Sequence, residues 1–268
     1  MKRRNKMALA AAVLGLTTMA LSSGVSAADA EKLEISVTGG GEDSMQLNTA
    51  TSGFLNGLSA LRHLYEGLYK LDANGEVVLG QAASVEESDD KLTWTFTLRD
   101  DITWSDGQPV TAGDFVFAFD NLAAQGGDYC TLLSDVAESY EATDDKTLVI
   151  HLKQPCGYLP SILAFPSTYP ARQDYVEEYG DAYATDPDKA VYNGPYEMTD
   201  WAHESEVVMK LRDDYYDADN IDVGTINWEL ITEESSALAS FESGDYVYSD
   251  MCPDEEKPRM EGNGLVYT

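Results

Sequence analysis

The chain has 268 residues, with 48 acidic against 17 basic side chains, a formal charge of −31, and 43% hydrophobic residues that include four tryptophans. That apolar content suffices for a packed core and excludes an acidic disordered tail. The charge excludes the clustered Lys and Arg surfaces that hold nucleic-acid phosphates or anionic membranes.

Residues 1–27 read as an export leader. Lys2, Arg3, Arg4 and Lys6 form a basic start, Met7 to Leu21 is uncharged and mostly apolar, and Val25 and Ala27 are the small residues that place cleavage before Ala28. The apolar run is short for a membrane span, and nothing later reaches about 18 uncharged apolar residues. No cysteine precedes Cys130, so an acylated N-terminal cysteine is not available. The expected mature chain is exported, soluble and without a lipid anchor. Losing four basic residues takes its formal charge from −31 to −35. Cys130, Cys156 and Cys252 are an odd number for an oxidising compartment; a Cys130–Cys156 bridge is one possibility and free thiols are the other.

"KLEISV" (32–37) alternates and predicts a first strand, ending in Gly39-Gly40-Gly41. These glycines lack the following lysine and hydroxyl of a phosphate loop and read as a flexible turn. "FLNGLSALRHLYEGLYKL" sets Leu55, Leu58, Leu61, Leu64, Tyr65 and Leu68 at helical spacing. "LYKLDANGEVVL" predicts a hairpin around Asp72-Ala73-Asn74-Gly75. It fails as a calcium loop, because Lys70 and Gln81 stand where carboxylates are needed. "KLTWTFTLRD" is the clearest strand, with Leu92, Trp94, Phe96 and Leu98 on one face and threonines on the other.

In "DITWSDGQPVTAGDFVFAFDN", Ser105-Asp106-Gly107 predicts a turn, Thr111 an N-cap and Asp114 the capping-box acid. Phe115, Val116, Phe119 and Leu122 mark the buried side of the helix that follows. These aspartates have structural tasks and need no catalytic explanation. "DDKTLVIHLKQP" predicts another strand. After a proline-rich stretch comes a Tyr-rich helix candidate, "ARQDYVEEYGDAYA". Strands follow in "YNGPYEMTDW", "EVVMKLR" and "TINWELI", then a helix stopped by Gly244 and a short strand in "SSALASFESGDYVYSD". Strands and helices mix without strict alternation, so the class is mixed α and β.

"WTFTLRDDITWSDGQPVTAGDFVFAFD" resembles the motif of the extracytoplasmic solute-binding proteins of dipeptide and oligopeptide ABC importers. "HLYEGLYKLDANGEVVLGQAAS", "KTLVIHLKQPCGYLPSILAFPSTYP", "YNGPYEMTDW" and "LRDDYYDADN" agree in the same order. The resemblance implies a two-lobed periplasmic-binding-protein-like fold closing over its ligand. Residues 28–65 and 171–268 would belong to the first lobe and 66–170 to an inserted subdomain. The second lobe would lie beyond Thr268, so the sequence reads as a fragment or truncated product.

The same resemblance implies an oligopeptide ligand held like an added strand, a membrane permease as partner, ATPase subunits acting indirectly, a monomeric state, no nucleic acid and no cofactor. The matching positions are Ser52, Gly53, Phe54 and Leu55 in "TSGFLN", Tyr129, and Tyr248, Ser249 and Asp250 in "YSD". Gly53 and Leu55 would act through their backbone. Dipeptides, nickel chelates, haem and oligosaccharides are the alternative solutes, and the charge favours peptides bearing Lys or Arg. An exported acidic hydrolase is the rival class, but His63, His151 and His203 form no zinc spacing with the cysteines and no nucleophile elbow is present.

Overall fold

The computed structural model describes residues 32–41 and 45–263; the leader reading lies outside them. Two separate sheets organise the chain. β1 (Leu33–Thr38) enters a five-stranded sheet whose other members come from the far end of the sequence: β8 (Tyr196–Ala202), β9 (Glu206–Leu211), β10 (Val223–Glu229) and β11 (Tyr248–Ser249). Its order is β11-β1-β10-β9-β8. β1 runs parallel to both neighbours, with Val37 opposite Trp228 on one side and Tyr248 on the other.

The second sheet lies within the middle of the chain. β4 (Ala82–Glu87), β5 (Thr93–Leu98), β6 (Ala137–Asp144) and β7 (Thr147–Leu152) pair antiparallel in the order β4-β5-β7-β6. The central pair carries the period-two pattern: Trp94, Phe96 and Leu98 of β5 and Leu148, Ile150 and Leu152 of β7 are buried. A hairpin of β2 (Tyr69–Leu71) and β3 (Val77–Leu79) precedes it, closed by Asp72, whose carboxylate accepts the backbone N–H groups of Asn74 and Glu76.

α2 (Ala112–Gln125) packs Phe115, Phe119 and Leu122 into the core. One Asp114 carboxylate oxygen accepts from the Thr111 backbone N–H at 2.8 Å, the Thr111 hydroxyl at 3.1 Å and the Trp104 indole at 3.2 Å. Gly126 ends the helix at φ 67°, where a side chain would be strained. The other helices are α1 (Leu55–Leu64), α3 (Leu159–Leu163), α4 (Gln173–Tyr179), α5 (Glu234–Ser243) and α6 (Lys257–Gly262). α1 stops four residues short of Leu68, since the chain turns extended at Tyr65. The Tyr-rich segment is α-helical only in α4, which buries no residue completely, and continues as a 3-10 turn over Gly180–Ala182.

A polar network joins the β2 approach to the turn after β9. Glu66 is 3% exposed, and its Oε1 accepts from the Tyr215 hydroxyl at 2.8 Å, the Tyr216 hydroxyl at 3.0 Å and the Lys70 ammonium at 2.8 Å. Its Oε2 accepts from the Gln81 amide at 2.9 Å. A buried carboxylate is tolerable because its lone pairs are occupied and one partner is a cation. Burial works against the Lys70 charge, yet Glu66 and Tyr216 together outweigh it and the ammonium pKa is raised. Cys130, Cys156 and Cys252 are free thiols, which settles the open cysteine question against a bridge.

Candidate functional site

Three parallel strands, β11, β1 and β10, deliver their carboxyl ends to one edge of the five-stranded sheet. In open sheets of this kind, ligand sites collect outside the carboxyl ends of parallel strands. Thr38, fully buried, fixes the end of β1 by donating its hydroxyl to the Glu229 carbonyl at 2.9 Å. The next residue, Gly39, requires a missing side chain. A Cβ there would stand 2.8 Å from Asn56 Oδ1 and 2.9 Å from Asp250 Oδ1. Two acceptor oxygens therefore converge over a bare stretch of backbone.

Asp250 follows the short edge strand β11. Its Oδ1 is buried without a hydrogen-bond partner, and burial raises the carboxyl pKa above the ordinary aspartate value. An orphaned carboxylate oxygen favours either a proton or an incoming cation. Ser249 is occupied locally: its Oγ accepts the Met251 N–H at 3.1 Å. Tyr248 is 55% exposed on the outermost strand of the sheet.

The segment before α1 supplies the second wall. Asn48 shapes it, its carbonyl accepting from the Ser52 N–H and its side chain from the Ala50 N–H. Ser52 itself is buried, and its Oγ lies 2.7 Å from where a Cβ on Gly57 of α1 would be. Phe54 is the N-cap of α1 and makes no side-chain capping bond. Phe54 and Leu55 are 50% and 68% exposed, so neither belongs to the core that Leu58, Leu61 and Leu64 enter.

The third element is the turn after α2. Cβ atoms on Gly127 and Gly53 would run into the Ala50 carbonyl, at 2.9 Å, and the Asp128 carboxylate, so bare glycines let this turn seat against residues 50–53. Tyr129, half-buried, packs its ring on Phe165 with centroids 4.6 Å apart. The structure thus puts Gly53 beside the Tyr129 turn, and Asp250 beside the start of α1 through Asn56. Asn56, Gly127 and Asp128 are not among the positions expected from the sequence, and Gly39 is expected there only as part of a flexible turn. A glycine at the end of a strand, and Gly126-Gly127 before an acid, were the available signals of close backbone approach.

An edge strand, exposed apolar side chains and an unpaired carboxylate can receive an extended chain through main-chain bonds. The family model described as bacterial extracellular solute-binding proteins, family 5 middle, matches residues 76–267. The chain belongs to that family. The oligopeptide-binding protein OppA of Bacillus subtilis is 31% identical over 229 residues, which are 77% of this chain and 42% of that protein. The periplasmic OppA of Salmonella typhimurium is 31% identical over 71% of this chain and 38% of its own.

Among solved structures, Haemophilus influenzae OppA in complex with RPPGFSPFR superposes with a TM-score of 0.81 at 29% identity, covering 88% of this chain and 49% of that one. Listeria monocytogenes OppA bound to peptide gives 0.75 at 27% identity, covering 81% and 46%. The chain thus spans about half the length of these relatives, and its mixed α and β architecture is that of the corresponding part of their periplasmic-binding-protein-like fold. These relatives are solute-binding proteins. Among the described residues, no helix is long and apolar enough to cross a membrane.

Proposed function

We propose that this chain forms one side of the ligand cleft of an extracytoplasmic solute-binding component of an ABC importer, and that its ligand is an oligopeptide. The observation that carries the reading is the meeting of edge strand β11, the orphaned Asp250 oxygen and Asn56 of α1 around Gly39, at the carboxyl ends of parallel strands. A peptide laid along that edge gains sequence-tolerant main-chain bonds. Gly53, Leu55 and Ser52 contribute backbone, Phe54, Tyr129 and Tyr248 contribute ring surface, and Ser249 and Asp250 contribute polar contacts.

In this reading residues 28–65 and 171–268 form the first lobe and 66–170 its inserted subdomain. The two sheets divide along the same lines, which supports it. The leader exports the chain, which works as a monomer outside the membrane. It hands its ligand to a permease, with ATP hydrolysis left to separate subunits, and performs no catalysis itself. The ligands of the two related structures, RPPGFSPFR in one and a peptide in the other, support the oligopeptide class.

The test is a ligand-induced melting shift with tri- to pentapeptides, dipeptides, a nickel chelate, haem and oligosaccharides as separate arms. Oligopeptides are expected to raise the melting temperature and the others not. A shift with one of the other solutes, and none with any oligopeptide, overturns the reading.

A further inference from the structure

A hollow of about 310 Å³ lies next to the Tyr129 turn. Binding cavities for whole small molecules run from ~300 to 1,000 Å³, so this one suits a single side chain better than a complete ligand. Its apolar lining comes from Leu132, Val136 and Ile162, the last two buried. Two aromatic rings, Tyr129 and Tyr158, and two exposed carboxylates, Asp128 and Asp135, complete it. Tyr158 is 61% exposed, a large ring left in water beside an opening.

Among the described residues, neither carboxylate has a cationic partner: the ion pairs use other acids. Lys153, brought beside Val136 by a backbone bond, donates its ammonium to the Ser134 carbonyl instead. The segment that carries the acids is preformed by turn bonds, from the Cys130 N–H to the Gly127 carbonyl, Leu132 to Tyr129 and Asp135 to Thr131. Asp128 is also the residue that covers Gly53, so the hollow adjoins the segment assigned to the ligand backbone.

A methylene stem with a terminal charge matches such a space: the stem takes the apolar lining, and the head meets aromatic faces and carboxylates. We propose that this hollow is a specificity pocket for a lysine or arginine side chain, so that the substrates are cationic peptides. The proposal rests on the peptide-binding reading above. An uncharged side chain of the same length would fill the hollow but leave both carboxylates without a counter-charge.

Calorimetric titration of the chain with Ala-Lys-Ala and with Ala-norleucine-Ala, at low and at high salt, tests it. The lysine peptide is expected to bind about tenfold more tightly at low salt, as one cation–π contact with a partly screened ion pair would give, and salt should narrow the gap. Asp128→Asn with Asp135→Asn should bring the ratio of the two affinities close to one. Asp135→Asn alone, away from the Gly53 contact, should lower it part of the way. Equal binding of both peptides to the unaltered chain overturns the pocket assignment and leaves the peptide reading intact, as does a tenfold ratio that survives in the double variant. Binding of neither peptide overturns the peptide reading, and the pocket assignment with it.

Discussion

Glu66→Ala should be among the most damaging single substitutions in the chain. Truncating one partner of a buried charge pair costs ~3–5 kcal/mol. Lys70 keeps 28% side-chain exposure and can recover some water, which places its share at the lower end. The Tyr215 hydroxyl loses its acceptor while remaining in the interior, which adds ~1 kcal/mol; the Gln81 amide keeps the Asn193 carbonyl at 3.2 Å. The sum is a loss of about 4 kcal/mol, or roughly 10 °C in Tm for a chain of this size. Glu66→Gln keeps the shape and one acceptor oxygen, and should cost about half as much. Urea denaturation followed by tryptophan fluorescence measures both. A Glu66→Ala loss below about 1 kcal/mol with an unchanged m-value would refute the assignment of the network as a structural tie.

Gly39→Ala pushes a methyl against the Asp250 and Asn56 side chains; peptide affinity should fall severalfold while Tm moves little, read by calorimetry and by scanning fluorimetry. Asp250→Asn removes a carboxylate whose pKa is raised by burial, so the ligand-free chain should melt slightly higher at neutral pH, whereas binding of peptides with a free amino terminus should weaken. The Asp186 carboxyl is held down at about 2 by hydrogen bonds from Lys189 and His203. Its contribution is therefore complete above its unfolded value near 3.8 and disappears as pH falls through about 2. The Tm difference between the unaltered chain and Asp186→Asn should close over that window, and should be small throughout because the pair is largely in water. Thiol titration of the unfolded, unreduced protein should count three reactive groups, and a count of one would mean that a bridge forms.

The strands with one buried face were legible in the sequence because burial and the period of two coincide, as in Trp94, Phe96 and Leu98. Edge strands β4 and β6 gave no such signal: most of their residues are exposed, and pairing with β5 and β7 defines them. The end of α1 was misread because Tyr65 and Leu68 continue the helical spacing. Gly67, however, lies where a Cβ would be 2.6 Å from both the Leu163 carbonyl and the Tyr169 ring, so a distant contact sets the path. In the candidate site, the motif located the segments but not their mutual contacts. Gly39-Gly40-Gly41 looked like a flexible turn, yet Gly39 makes room for two side chains from elsewhere.

The position of β1 between β10 and β11 governs when this protein can fold. Leu33 must wait for Val223, and Val37 for Tyr248, before the strand has either neighbour. The four-stranded sheet needs nothing outside residues 82–152, so it can close while the rest of the chain is still emerging. Long-range parallel pairing of this kind is slow, because loop-closure entropy is lost before any contact is gained. A chain passing amino-terminus first through a membrane pore would therefore keep its first strand unpaired until residues 223–249 had crossed.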